Sequence, residues 1–255
     1  MTDQPIPLAC LPVAVEDRQR SFYYRPTSRS DSRIIRHIFN RRDYELRHFR
    51  HYRALRKHYD RVVAKGRTPL IVDAGANIGA SVVWYHLNFG HAHIVALEPE
   101  KRNCHVLRRN CTGLDCEIVE GGIASRDGEM FLQDPDKRDW SFRVGSEGGK
   151  YPVPVFAANA LVKDRIAKGF VPFIFKIDIE GGEAELFSQD TDWASLFPVL
   201  AIEIHDWMMP GASISKKFLE VISRLDCDLC LCRENLMVFN YKLFKRRRKN
   251  PKPSV

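Results

Sequence analysis

The chain has 255 residues, 44% hydrophobic and 28% charged, a composition typical of a globular protein with one large core or two small ones. Its apolar runs are all shorter than the roughly 18 to 20 residues that a membrane span needs. Its seven scattered cysteines favour reduced thiols over disulfides. The apolar beginning is broken by prolines and lacks the basic residues of a signal peptide, so we expect a cytoplasmic protein.

The net charge of +8 is unevenly distributed along the chain. Residues 16–67 hold 16 Lys and Arg against 6 Asp and Glu, and residues 242–255 hold 7 basic and no acidic residues, whereas residues 68–241 carry a net charge of −8. Nucleic acid, an anionic membrane surface or an acidic substrate could bind the basic ends. We favour a solvated helix face and a basic, disordered tail at residues 245–255.

The first 66 residues are expected to form a helical extension or cap. Residues 1 to about 30 contain four prolines and should be irregular. Helical spacing begins at Arg33, and a second amphipathic pattern runs from Leu46 through Val63 and ends near Gly66.

Residues 67–244 alternate short apolar runs with helical stretches, which predicts a parallel sheet covered on both faces. Strands are expected at 70–74, 94–97, 117–119, 173–179 and 199–205, and helices at 79–89, 100–111, 158–168, 181–188 and 212–225. A hairpin is expected at 129–133, a mobile loop at 134–150, and a terminal antiparallel strand pair at 226–244 that turns near Glu234.

A glycine-rich turn follows the first of these strands, in the stretch IVDAGANIGA. The strand ends at Asp73, and Gly75, Asn77 and Gly79 follow before a helix. Open α/β sheets bind ligands beyond the carboxyl ends of their strands, where such a turn brings backbone N–H groups and a helix N-terminus to the ligand. The next strand ends at Glu98, 19 residues after Gly79. At this spacing along the sequence a carboxylate accepts hydrogen bonds from a ribose.

Two cofactor classes share this layout. A nicotinamide dinucleotide requires a bare second glycine beside its pyrophosphate, and Asn77 occupies that position. S-adenosylmethionine has no pyrophosphate, and its cationic sulfonium suits the acid and polar turn that Asp73 and Asn77 supply. S-adenosylmethionine is therefore the expected cofactor, a dehydrogenase or a domain with a vestigial site being the alternatives. A valine at Gly75 is expected to abolish cofactor binding without unfolding the protein.

Five stretches together resemble the FkbM family of class I S-adenosylmethionine-dependent O-methyltransferases: IVDAGANIGAS, VALEPE, EGGIASRDGE, FKIDIEGGEAELF and LAIEIH. The resemblance covers about residues 70–205. It implies a Rossmann-like, seven-stranded sheet whose last strand is antiparallel. It also implies that Asp73, Gly75, Asn77 and Gly79 surround the methionine end of the cofactor, that Glu98 binds the ribose, and that Gly122 and Ile123 border the adenine.

Residues for the chemistry are expected at the ends of the fourth and fifth strands, beside the cofactor. In FIFKIDIEGGE, Lys176 and Asp178 share a strand face, an arrangement that is costly to bury unless it is functional or part of a network. In LAIEIHD, Glu203 and His205 share a face. We predict His205 as the general base or acceptor-positioning group, supported by Glu203 and Asp178; a strand-end histidine with a structural hydrogen bond is the alternative.

Metal binding is the weaker interpretation, and no metal is assigned. Asp178, Glu203 and His205 could collect a divalent ion, but the sequence does not fix their convergence. Cys227, Cys230 and Cys232 lack a second ligand pair at zinc-finger spacing and lie in a strand-like run, which favours buried thiols. Glu180, before two glycines, could cap a helix or face the acceptor.

The sequence thus predicts an O-methyltransferase that acts on a hydroxyl of a sugar or another small natural product. One alternative is a methyltransferase whose basic ends hold RNA or protein, although no RNA-binding module is visible. The other is a non-catalytic protein that keeps only the fold.

Overall fold

The computed structural model describes residues 6–133, 143–145 and 151–244. The tail expected at 245–255 lies outside the described residues, as does the loop expected at 134–150 apart from residues 143–145. Within the described ranges no helix combines the length and apolarity needed to cross a membrane. The cytoplasmic location stays a prediction.

The N-terminal extension begins with a β-hairpin, so the expectation of irregular structure is wrong for residues 9–24. Strands β1 (Ala9–Val15) and β2 (Arg18–Tyr24) pair in antiparallel register. The prolines suggested irregular structure. Pro12 nevertheless fits in β1, because both strands of a two-stranded ribbon are edges, where a missing N–H is tolerated. Helix α1 (Arg29–Ile35) then continues into a π-helical turn, and helix α2 (Tyr52–Ala64) starts later than its apolar pattern suggested.

Strands and helices alternate as predicted over residues 69–120 and 158–222, whereas the described residues between 122 and 157 hold four strands in succession. In chain order the elements after α2 are β3 (Pro69–Ala74), α3 (Ala80–Asn88), β4 (His93–Glu98), α4 (Lys101–Cys111), β5 (Cys116–Glu120), β6 (Gly122–Ala124), β7 (Gly128–Gln133), β8 (Arg143–Gly145), β9 (Tyr151–Ala157), α5 (Ala158–Ala167), β10 (Val171–Ile177), α6 (Glu183–Leu186), β11 (Val199–Glu203), α7 (Ser215–Ile222), β12 (Asp228–Cys232), β13 (Asn235–Phe239) and α8 (Tyr241–Phe244).

The main sheet has seven strands in the order β12-β13-β11-β10-β3-β4-β5. Strands β3, β4, β5, β10 and β11 are parallel, and β13 runs antiparallel between β11 and β12. The predicted Rossmann-like sheet with an antiparallel last strand is therefore confirmed. Strands β6, β9, β7 and β8 form a smaller sheet, in which β7 pairs antiparallel with β8 and β9 near the expected hairpin.

Strand β3 lies at the centre of the main sheet, and all six of its residues are buried. Because side chains alternate across a strand, Leu70 and Val72 enter one core and Ile71 enters the other, so helices cover both faces as predicted. The N-terminal extension packs into the core of Ile71, to which it contributes Phe22 and Leu55. The division of the chain into 1–66, 67–244 and 245–255 stays a prediction.

Candidate functional site

A cavity of about 500 Å³ lies at the carboxyl ends of β3, β4, β10 and β11, where open α/β sheets bind ligands. The segment from Ser30 to Tyr44 in the N-terminal extension forms part of its wall. Most of the predicted site residues line it: Gly75, Asn77, Glu98, Gly122, Ile123, Asp178, Glu203 and His205. Asp73 and Gly79 do not reach the cavity wall.

The glycine-rich turn uses its own backbone N–H groups. Leu97 O accepts hydrogen bonds from the N–H groups of residues 75 and 76, at 3.0 and 2.9 Å. The Asn77 N–H donates to Glu98 Oε2 at 2.7 Å, and the next two N–H groups donate within the turn, to Asn77 Oδ1 and to the carbonyl of residue 76. The N–H groups of residues 75–79 therefore have partners within the protein, and the expectation that the following helix N-terminus faces a ligand stays a prediction.

Positive φ angles explain why this turn has its composition. They are 79° at Gly75, 49° at Asn77 and 88° at Gly79. A Cβ at Gly75 would lie 1.8 Å from the carbonyl oxygen of Asp178, and one at Gly79 would lie 2.8 Å from a side-chain carbon of Leu107 in α4. Gly75 thus permits the close approach of two strand ends, and Gly79 permits the packing of α3 against α4.

Glu98 is buried at the end of β4 and holds several elements together. Its carboxylate accepts hydrogen bonds from the N–H of Asn77, the N–H of Glu100 at 3.0 Å and the side-chain amide of Asn103 at 3.3 Å. Burial raises the pKa of Glu98 to about 7, although these three donors oppose the rise. Since a carboxylate has about four acceptor sites, one remains for a ligand in the cavity.

Asp73 does not line the cavity, but it forms an ion pair with Lys176, which does. Both side chains are buried, and the Lys176 ammonium lies 3.1 Å from Asp73 Oδ1 and 3.5 Å from Asp178 Oδ2. The same ammonium donates to the carbonyl of Gly75 at 2.6 Å. The expected charge network at the end of β10 therefore exists, and it fixes the turn after β3 to the strand beside it.

Gly122 and Ile123 begin β6, and both line the cavity on the side of β4. The preceding Gly121 has no room for a side chain, because a Cβ there would lie 2.5 Å from the carbonyl oxygen of Pro154. This close approach of β9 sets the position of the cavity wall.

Asp178, Glu203 and His205 converge, which the sequence left undecided. His205 Nε2 lies 3.6 Å from Asp178 Oδ1 and 3.6 Å from Glu203 Oε1. One possible ligand atom from each residue lies within 4.8 Å of the other two. The ends of β10 and β11 therefore present an imidazole and two carboxylates to one point of the cavity.

Glu183 orients this histidine. Glu183 Oε1 lies 2.5 Å from His205 Nδ1, and its Oε2 accepts a hydrogen bond from the N–H of Gly181 at 2.9 Å. Burial lowers the pKa of His205, but the hydrogen bond to Glu183 and the nearby Glu203 and Asp178 outweigh burial and raise the pKa to about 11. His205 therefore carries a proton at neutral pH in this arrangement, and its role as general base stays a prediction.

Three residues at the site were not indicated by the sequence analysis. Glu183 was not singled out, although an acid in the first turn after a GG pair is a signal for helix capping. In the structure Glu183 accepts the N–H of Gly181, just before the helix, whereas the Glu180 side chain lines the cavity and its pKa is raised to about 9 by burial and by Asp178. Asp43 and Tyr44 also line the cavity, and nothing in their local pattern indicated this.

The cysteines of the CDLCLC stretch, which were expected to be buried thiols, lie on or beside β12. Cys227 and Cys230 are partly buried, and Cys232 is buried.

Comparison with known proteins places the site within one family model. Residues 73–236 match the model described as the methyltransferase FkbM domain. No curated protein matches the chain.

Solved structures resemble the chain remotely. The bifunctional kinase-methyltransferase WbdD is 13% identical with a TM-score of 0.38, and the match covers 73% of this chain but 38% of WbdD. An O-methyltransferase from Bacillus cereus in complex with SAH is 13% identical with a TM-score of 0.37, covering 72% and 80%. A precorrin-6y C5,15-methyltransferase from Geobacter metallireducens is 10% identical with a TM-score of 0.36, covering 68% and 78%. The chain thus spans less than two fifths of WbdD.

Proposed function

The chain belongs to the FkbM family of methyltransferases, and from this premise we propose that it transfers a methyl group from S-adenosylmethionine to a hydroxyl of a sugar or another small natural product. The observation that carries the proposal is the combination of a turn without free N–H donors and a cavity lined by carboxylates.

The turn disfavours a dinucleotide for a physical reason. A pyrophosphate is held by backbone N–H groups at such a turn, and here all five N–H groups from Gly75 to Gly79 already have partners within the protein. The positive sulfonium of S-adenosylmethionine needs no such donors. The carboxyl groups that line the cavity would favour its positive charge.

The residues present suit this cofactor. Glu98 would accept a hydrogen bond from one ribose hydroxyl, Gly122 and Ile123 would border the adenine, and the turn at Gly75 and Asn77 would lie beside the methionine end. Asp73 and Gly79 would contribute indirectly, by holding that turn in place. When bound, S-adenosylmethionine supplies an electrophilic methyl carbon.

The acceptor hydroxyl would lie at the cluster of Asp178, Glu203 and His205. In-line transfer requires the acceptor oxygen to be aligned with the methyl carbon and to lose its proton. The cluster offers groups that can hold the hydroxyl by hydrogen bonds. The extension residues Asp43 and Tyr44 line the same cavity and would contact the rest of the acceptor.

Calorimetric titration tests the cofactor assignment. S-adenosylmethionine and S-adenosylhomocysteine should bind with a 1:1 stoichiometry, and NAD should not bind. Binding of NAD in place of both would make the protein a dehydrogenase-like domain, and binding of none of the three would favour a non-catalytic protein.

A screen with a labelled methyl donor tests the acceptor class. We expect the labelled methyl group to appear in hydroxylated sugars or small natural products. It should resist treatment with base, because the product is an ether. Transfer to RNA or protein that falls steeply with salt would instead support the alternative in which the basic ends hold a polymer.

A further inference from the structure

We propose that Asp178, Glu203 and His205 bind a divalent transition-metal ion, for which Mn²⁺ is a suitable probe. On the function proposed above, this ion would also bind the acceptor hydroxyl; the binding of the ion itself does not depend on that function.

The spacing of the three side chains fits a common ion. Two ligands that each lie about 2.1 Å from one ion are separated by roughly 3.0 to 3.4 Å in octahedral or tetrahedral geometry. His205 Nε2 lies 3.6 Å from one oxygen of each carboxylate, a few tenths of an ångström more. A small rotation of Asp178 or Glu203, both of which are partly exposed to the cavity, closes this difference.

The orientation of the histidine is an independent observation that points the same way. Its side chain is 3% exposed, and its Nδ1 is fixed by the buried Glu183 at 2.5 Å. A histidine that binds a metal almost always donates its other ring N–H to a carboxylate or carbonyl in this manner. The remaining atom, Nε2, points to Asp178 and Glu203 but is beyond hydrogen-bonding distance of either.

Three carboxyl groups lie close together on the cavity wall. Asp178, Glu180 and Glu203 line it together, and Glu180 Oε2 is buried without a hydrogen-bond partner within the described residues. Lys176 lies 3.5 Å from Asp178, but it is also bound to Asp73 and to the carbonyl of Gly75. On binding, a divalent ion would displace the proton from His205 Nε2 and balance the charges of Asp178 and Glu203.

The ligand set favours a first-row transition metal. Carboxylates suit Mg²⁺ and Mn²⁺, whereas imidazole suits transition metals, so one imidazole with two carboxylates selects Mn²⁺ or Fe²⁺ over Mg²⁺. Three protein ligands leave positions for water or for the acceptor.

The ion would lower the pKa of a bound hydroxyl. The hydroxyl proton would leave to water, and the acceptor oxygen would form a bond to the methyl carbon. The bond from that carbon to sulfur would break, with its electron pair remaining on sulfur. The products are a methyl ether, S-adenosylhomocysteine and a proton.

Metal binding can be measured without turnover. Protein stripped with a chelator is titrated with Mn²⁺ and followed by electron paramagnetic resonance, with and without S-adenosylhomocysteine. We expect one site with a dissociation constant in the micromolar range and weaker competition by Mg²⁺. An absence of saturable binding up to 1 mM Mn²⁺ in both conditions overturns the proposal.

Single substitutions test which residues bind the ion. Asp178→Asn, Glu203→Gln and His205→Ala should each weaken Mn²⁺ binding about 100-fold or more, and Glu183→Gln about 10- to 100-fold. The matched control is Glu234→Gln, which removes another carboxylate from the cavity wall outside the cluster and should leave the affinity unchanged. Equal Mn²⁺ affinity in the cluster variants and the control overturns the proposal.

The metal site and the proposed methyltransferase function can be tested independently of each other. S-adenosylhomocysteine binding in the presence of a chelator tests the cofactor assignment alone. Mn²⁺ binding without cofactor binding would leave the metal site and remove the methyltransferase function, and the reverse result would remove only the metal site.

Discussion

Glu183 Oε1 lies 2.5 Å from His205 Nδ1, and both side chains are buried. Glu183 begins α6, whereas His205 follows β11, so the contact joins the turn after one strand to the end of its neighbour. Glu183 also accepts the N–H of Gly181. One buried carboxylate therefore fixes both a backbone turn and the orientation of an imidazole that faces the cavity.

Replacing Glu183 with glutamine tests its role as a positioning residue. Loss of the negative charge should lower the pKa of His205 from about 11 towards its ordinary value, because the hydrogen bond to Glu183 is the largest cause that raises it. Imidazole NMR measures this shift, and we expect kcat to fall about tenfold with little change in KM. The control is Glu185→Gln in the same helix, which binds Ser125 Oγ instead. An unchanged imidazole titration in Glu183→Gln would contradict the assignment.

Removal of the imidazole should separate binding from turnover. His205→Ala is expected to bind S-adenosylhomocysteine with nearly unchanged affinity and to lose turnover by about 10²-fold or more, since His205 lies at the cluster and not at the ribose side of the cavity. Calorimetry and a methyl-transfer assay measure the two quantities. A normal rate would make His205 structural.

The pH dependence of cofactor binding should report on Glu98. Burial raises its pKa to about 7, and the ionised carboxylate is the better acceptor for ribose hydroxyls. Affinity for S-adenosylhomocysteine should therefore rise about tenfold between pH 5.5 and 8.5. Glu98→Gln should bind S-adenosylhomocysteine more weakly, and its affinity should not rise with pH. The pKa values of Asp43 and Glu180 are also raised, and both residues remain in this variant, so any pH dependence that they cause would persist in it. A slope that persists in Glu98→Gln would contradict this interpretation.

The same shift has an opposite effect on stability. Because the pKa of Glu98 in the folded protein exceeds its ordinary value of 4.5, the folded state holds an extra proton between pH 4.5 and about 7. The free energy of unfolding should fall as pH rises through this window and then level off. Denaturant titrations of wild type and Glu98→Gln at several pH values measure the difference, which should vanish if Glu98 is not the group responsible.

Gly75 and Gly113 form a matched pair for testing the close approach of two strand ends. Both have positive φ, 79° and 77°, but a Cβ at Gly75 would lie 1.8 Å from Asp178 O whereas a Cβ at Gly113 meets nothing within 4 Å. Gly113→Ala should cost about 1 kcal/mol through backbone strain alone. Gly75→Ala should cost several times more or prevent folding, as thermal unfolding would show. This revises the expectation that a side chain at Gly75 affects only cofactor binding, and equal costs at both positions would refute it.

Lys176 and Asp73 should be strongly coupled. Lys176→Met leaves Asp73 buried without its counter-ion, which is expected to cost about 3–5 kcal/mol. In the double variant with Asp73→Asn, the loss should be smaller than the sum of the two single losses by about 1–3 kcal/mol. Chemical denaturation of the four proteins measures the cycle. Additive losses would show that the ion pair contributes nothing.

Much of the fold could be predicted because strand and helix periodicity is local. The strands at 70–74 and 94–97 and the helix at 100–111 lie within one or two residues of their observed bounds. The hairpin at residues 9–24 could not be predicted, since Pro12 is tolerated because β1 and β2 form a two-stranded sheet within the described residues.

The sequence by itself determined the order of the strands and helices along the chain, the turn after β3 and the carboxylate at the end of β4. Each of these depends on residues close together in the chain. Tertiary structure alone decided that the N–H groups of that turn have internal partners and that Asp178, Glu203 and His205 meet. It also decided that Glu183 orients the histidine. Apart from two local bonds within the turn, these contacts join separate strand ends, and their distances depend on how the strands are paired and packed.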